Sequence, residues 1–123
     1  MGRKMTFQVF NSMLGKTMES VTGLVSDDTM IFTADDGKKF TFYHGQDCCE
    51  SVSINDVIGD LSDLVGSPIV QAEEVAMDDP ETECSESYTW TFYKFATVRG
   101  SVTVRWLGTS NGYYSEGVDF SED

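Results

Sequence analysis

The sequence is short of positive charge. Eight lysines and arginines face twenty-one aspartates and glutamates, a formal net charge of −13. Such a balance disfavours ordinary binding to duplex nucleic acid, whose phosphates it repels. Proline is scarce, with only Pro68 and Pro80, and His44 is the single histidine. The three cysteines, Cys48, Cys49 and Cys84, are an odd number, and no Cys-x-x-Cys pair occurs. Reduced thiols in a cytosol are therefore expected rather than a disulfide framework. No apolar stretch approaches the length that spans a bilayer, so no membrane association is expected. Behind Met1-Gly2-Arg3-Lys4 the chain is interrupted by Thr6, Gln8, Asn11 and Ser12, so a signal peptide is not expected either.

What is present suits one folded domain over 1–123. The chain has 123 residues and 40% of them are hydrophobic, enough for a core without staples. The acids spread through the chain, densest between Glu73 and Glu86. An acidic surface serves solubility, or it competes with nucleic acid for a basic partner. The dense run reads as a solvated loop from Asp78 to Ser87, because its spacing matches no calcium loop.

Residues 1–25 give no firm pattern, beyond a short helix or turn and a strand near 20–25. Thr29–Ala34 and Lys39–His44 are β-rich and flank Asp35-Asp36-Gly37-Lys38, the chemistry of a tight hairpin. Ile54, Val57, Ile58, Leu61, Leu64 and Val65 recur at helical spacing. Ser53 is placed as the N-cap, with Gly66 and Pro68 ending the helix. Ile69–Val75 reads as a strand. Tyr88–Val98 and Ser101–Leu107 follow, turned at Arg99-Gly100, and a further strand through Val118 and Phe120 follows the Asn111-Gly112 turn. These last three strands are expected to form a meander, with 121–123 frayed. The expected fold class is α+β: a mostly antiparallel sheet of about six or seven strands, covered by one main amphipathic helix at about 54–65. Several strands carry large residues on both faces. The sheet is therefore expected to be strongly bent or partly closed.

The run His44-Gly45-Gln46-Asp47-Cys48-Cys49-Glu50 concentrates chemistry in seven residues. Zinc would need His44, Cys48 and Cys49 with distant Cys84, but adjacent cysteines on a strand diverge, so no metal site is assigned. A thiolate nucleophile, Cys48 or Cys49 activated by His44, meets a separation of about 13 Å between His44 and Cys48 on a straight strand. Recognition of a polar ligand fits better. His44, Gln46, Asp47 and Glu50 supply hydrogen bonds, while Tyr43, Trp90, Trp106, Tyr113 and Tyr114 are available for stacking. A structural role competes with all three: cysteines as small hydrophobes and His44 satisfied by backbone. Ser110, Asn111, Tyr113 and Tyr114 cluster at a hairpin tip, a candidate contact loop or simply a good turn. Arg105 could clamp an anion or pair with a local carboxylate.

The segments His44-x-Gln46-Asp47-Cys48-Cys49-Glu50-x-Val52, Leu64-Val65-Gly66-Ser67-Pro68-Ile69 and Ala72-Glu73-Glu74 resemble those of a family of small phage and prophage proteins of unknown function. So do Trp90-Thr91-Phe92-Tyr93-Lys94-Phe95-Ala96-Thr97 and Arg105-Trp106-x-Gly108-x-Ser110-Asn111-Gly112-Tyr113-Tyr114-Ser115. The likeness covers roughly residues 38 to 120 in long, ordered motifs. It implies a bacterial cytoplasm and a gene carried by a phage, and it brings no catalytic residue.

The expectation is a small, acidic, non-enzymatic binding protein without cofactor. It would act on a host protein as a counter-defence or host-takeover inhibitor. Its candidate binding residues are His44, Gln46, Asp47, Cys48, Glu50, Arg105, Ser110, Asn111, Tyr113 and Tyr114. Sequestration of a small nucleotide-like ligand in a polar-aromatic pocket is the first alternative, and a thiol- or zinc-dependent enzyme the second. The oligomeric state stays open.

Overall fold

The computed structural model describes residues 5–45, 50–79, 87–110 and 117–123. Nine strands occur in chain order: β1 (Met5–Val9), β2 (Met18–Thr22), β3 (Thr29–Ala34), β4 (Lys39–Tyr43) and β5 (Ser51–Ile58), then β6 (Gln71–Asp79), β7 (Ser87–Thr97), β8 (Gly100–Ser110) and β9 (Asp119–Glu122). They form two antiparallel sheets, β1-β6-β7-β8-β5 and β2-β3-β4-β9. The fold is thus nearly all-β, with open sheets, and not the α+β fold expected from the sequence.

The helix expected over 54–65 is instead β5 followed by a short 3-10 turn, Leu61–Leu64. The reason is a register shift in the β5–β8 pairing between Ile54 and Asp56. Strand alternation turns Val52 and Ile54 inward. The bulge inserts one residue, so Val57, opposite buried Val104, follows Ile54 after a step of three. A strand of period two with one bulge imitates helical spacing. Four β-branched residues, Val52, Ile54, Val57 and Ile58, also favour the extended backbone. Asp60, not Ser53, caps the turn by accepting from Ser62 N–H. Gly59, at φ 115°, ends the strand where an added Cβ would lie 2.7 Å from the Ser101 carbonyl, so glycine is required.

The β3–β4 hairpin forms as its sequence suggests, with a single left-handed residue in its turn. Gly37 N–H donates to Ala34 O, and Gly37 alone of the turn has positive φ, 91°. That is a type I turn followed by a left-handed glycine. β7 and β8 pair along their full length, from Ser87 with Ser110 to Thr97 with Gly100. The expected meander stops there. β9 pairs with β4 in the other sheet, with Phe42 opposite Phe120.

The two sheets hold one aromatic core. Phe42 lies at its centre, with the rings of Phe10, Phe32, Tyr93, Phe95 and Phe120 at 4.7–5.8 Å. Phe32, Phe40, Phe42, Tyr93, Phe95 and Trp106 are fully buried. The large residues on the opposite faces of β6, β7 and β8 do not close the sheet. Val75, Phe92 and Arg105 form one cross-strand row, and Met77, Trp90 and Leu107 another, on its outer side. They stay part-exposed. Phe42→Ala is expected to lower stability by about 3–5 kcal/mol, because the hole opens where both sheets meet. Chemical denaturation checks this, and Phe42→Leu should cost clearly less.

Candidate functional site

The His44–Glu50 run crosses from one sheet to the other. β4 ends at Tyr43 and β5 starts at Ser51, so the two ends of the run sit in different layers. On a straight strand, His44 and Glu50 would be about 20 Å apart. In the fold, His44 Nε2 lies 2.7 Å from Glu50 Oε2. His44 Nδ1 donates to the Gly117 carbonyl at 2.7 Å, just ahead of β9. Gly45 N–H adds a bond to Asp119 Oδ2 at 3.0 Å. One ring therefore ties the end of β4, the start of β5 and the approach to β9.

The pair is out of water, with side-chain exposures of 4% for His44 and 0% for Glu50. Burial lowers the pKa of the imidazole. The Glu50 hydrogen bond, the Gly117 carbonyl and the charges of Glu50 and Asp119 together outweigh it, so the net shift is upward from 6.5. With Glu50 ionised, both ring nitrogens face acceptors, which the doubly protonated ring satisfies. A ring committed on both nitrogens is an anchor, not a free base.

A cleft of about 480 Å³ opens over this pair, walled by Ser26, Asp28, His44, Glu50, Ser51, Val52 and Ser53. The β2–β3 connection supplies Ser26 and Asp28. It is held against β5 by Ser26 N–H to Ile54 O and Ile54 N–H to Asp27 O, both 2.8 Å. Ser26 adopts φ 83°, a left-handed conformation uncommon for serine, at the cleft wall. Asp28 is exposed, and its carboxylate accepts from the Thr29 hydroxyl at 3.2 Å. The walls thus offer hydroxyls and carboxylates, a set that suits a ligand rich in donors or positive charge.

The candidate residues do not all meet here. His44 and Glu50 line the cleft. Ser110 is buried at the end of β8, one position past the Thr109–Ser51 pair, and so lies at the same end of the sheet. Arg105 lies elsewhere, on the outer face of β8. Its Nε donates to Asn55 Oδ1 at 2.9 Å, Asp56 is 3.8 Å away, and its guanidinium covers the Trp90 ring at 5.2 Å. Trp106, considered for stacking, is fully buried, and its indole N–H has no hydrogen-bond partner among the described residues. Gln46, Asp47, Cys48, Cys49, Cys84, Asn111, Tyr113 and Tyr114 lie outside the described residues. Among the described residues, no group of three or more His, Cys, Asp or Glu is placed to hold a metal ion.

Sequence reasoning missed Ser26, Asp28, Ser51 and Ser53. Only the backbone bonds between the β2–β3 connection and β5 bring them together, and no local pattern signals such a link. A larger groove of about 560 Å³, between Gly23–Val25 and Val57–Leu61, is more apolar and carries exposed Leu24 and Val25.

The buried pair makes stability pH-dependent. His44 has a higher pKa folded than unfolded, so its contribution is complete below 6.5 and is lost as pH rises through the raised value. Thermal melts from mildly acid to mildly alkaline pH should show that loss. Glu50→Gln should abolish most of the dependence and cost about 3 kcal/mol, by stranding a buried cation.

A family model described as a domain of unknown function, DUF7448, matches residues 11–120. No curated protein and no solved structure matches the chain.

Proposed function

Since the chain belongs to the DUF7448 family over residues 11–120, which brings no activity with it, we propose a function from the site itself. The protein is a small, non-enzymatic binding protein that seats a basic side chain of a host protein in the cleft beside His44 and Glu50. Its role is to block that host factor, as counter-defence or host takeover. The likeness of the His44–Glu50 and Arg105–Ser115 motifs to small phage and prophage proteins supports this setting.

The observation that carries the reading is the cleft. Exposed Asp28 and three serine hydroxyls stand over a pair whose own charges cancel, on a chain of net charge −13. The field of the whole molecule raises the local concentration of cations and speeds their encounter. The same field weighs against the nucleotide-like ligand, whose phosphates would meet Asp28. The cleft's volume does fall in the small-ligand range of roughly 300–1,000 Å³. Native mass spectrometry separates the two, since a retained small molecule would favour the second.

Capture of a host protein from bacterial lysate should weaken steadily with added salt. Asp28→Lys should reduce it about tenfold or more while leaving the fold intact, because Asp28 is exposed. Capture indifferent to both salt and Asp28→Lys would remove the cleft from the interaction.

A further inference from the structure

β1 is the first strand of the five-stranded sheet, and among the described residues β6 is its sole neighbour in that sheet. Its open edge can be read atom by atom. Phe10 N–H donates to Ala72 O at 2.9 Å, in the same register that pairs Val9 with Glu73 and Phe7 with Val75. Successive residues of an antiparallel strand turn their backbone groups to alternate sides. Phe10, Gln8 and Thr6 therefore face β6, while Val9, Phe7 and Met5 present N–H and C=O to the open side.

Among the described residues, nothing blunts that edge. The strand Met-Thr-Phe-Gln-Val holds no charge and no proline, and its pairing with β6 runs without a bulge. These are the usual protections of an edge strand. Phe7 and Val9 are also exposed on the outer face, at 62% and 38%. Phe7 begins the row that continues through Val75 and Phe92.

Charge selects the occupant. Two copies of a chain at −13 repel, so a self-interface must sit where the acids do not. Among the described side chains of this outer face, Glu73 stands opposite Lys94, and Asp56 lies 3.8 Å from Arg105, so the charges cancel. Arg3 and Lys4 precede β1 in sequence. A basic partner would gain little on so neutral a surface.

We infer that β1 is an interface for a second copy of this chain. The two strands pair antiparallel about a two-fold axis at Phe7. Phe7 then lies opposite the second copy's Phe7, and Val9 opposite its Met5. That arrangement is self-complementary, satisfies the open backbone groups of both strands, and runs one sheet through both copies.

Sedimentation velocity and native mass spectrometry of the full chain test this, with Phe7→Lys and Val9→Pro. The Val9 N–H faces the open edge, so proline there removes no β1–β6 bond. The wild type should be a dimer that tightens with salt, as screening relieves the repulsion between copies. Each variant should raise the dissociation constant about tenfold or more, with an unchanged far-ultraviolet spectrum. Asp28→Lys should leave the dimer in place, so loss of cleft binding and loss of dimerisation are distinguishable. A wild type that stays monomeric into the millimolar range overturns the inference, as does a dimer insensitive to both substitutions. So does an edge filled by a host protein, seen as a monomer whose capture of that protein is lost in Phe7→Lys.

Discussion

The rest of the structure depends on aromatic packing between the two sheets. Neither sheet buries its inner face alone; each supplies rings that the other covers. β4 brings Phe40 and Phe42, β3 brings Phe32, and β7 answers with Tyr93 and Phe95. Ring pairs in this cluster sit at tilted, edge or offset geometries, with Tyr93 and Phe95 at 5.9 Å and nearly parallel. Such arrangements suit the ring quadrupole and add to the burial of apolar area. Once the layers are fixed, the ends of the β4–β5 connection are fixed with them. His44 and Glu50 then meet at the wall of the polar cleft.

The His44–Glu50 pair has to be weighed against that core. A buried ion pair in low dielectric gains attraction but loses hydration, and the net is often small. Its effect here is better described as geometric. The ring has acceptors from two directions, and only one placement of β4, β5 and Gly117 satisfies both. A second polar pair, part-buried, behaves similarly. Tyr93 O–H donates to Glu74 at 2.6 Å, and burial raises the Glu74 carboxyl against the pull of that bond. The interior thus combines apolar layers, which supply energy, with a few directional contacts, which select one arrangement.

Much of the strand order is legible in the sequence where pairing is local. Asp36-Gly37 between alternating runs marks the β3–β4 hairpin. The long β-branched and aromatic run from Tyr88 marks β7 and its partner β8. Legibility fails where geometry is set from a distance. The bulge after Ile54 turns a strand into the likeness of a helix, and nothing within residues 51–58 reveals the partner strand that imposes it. Apolar residues on both faces of β7 and β8 suggest a closed sheet, yet the outer rows remain part-exposed. Of the candidate site, His44 and Glu50 are visible as a rare histidine beside carboxylates. Their contact is not, because it joins the end of one sheet's strand to the start of the other's, and strand spacing alone puts them far apart. Ser26 and Asp28 reach the cleft through backbone bonds, which leave no trace in residue type.

The β4–β9 pairing has a kinetic consequence. It joins Phe42 to Phe120, with most of the chain between them. Closing so long a loop costs entropy before any contact rewards it, and folds built on such pairs fold slowly. The β3–β4 and β7–β8 hairpins are short-range and form without that delay. By loop entropy alone β9 is expected to dock after those hairpins, and until it does the Phe40 and Phe42 rings lack the cover of Phe120. In that interval the rings that Phe120 covers are open to neighbouring chains, and a net charge of −13 works to keep those chains apart.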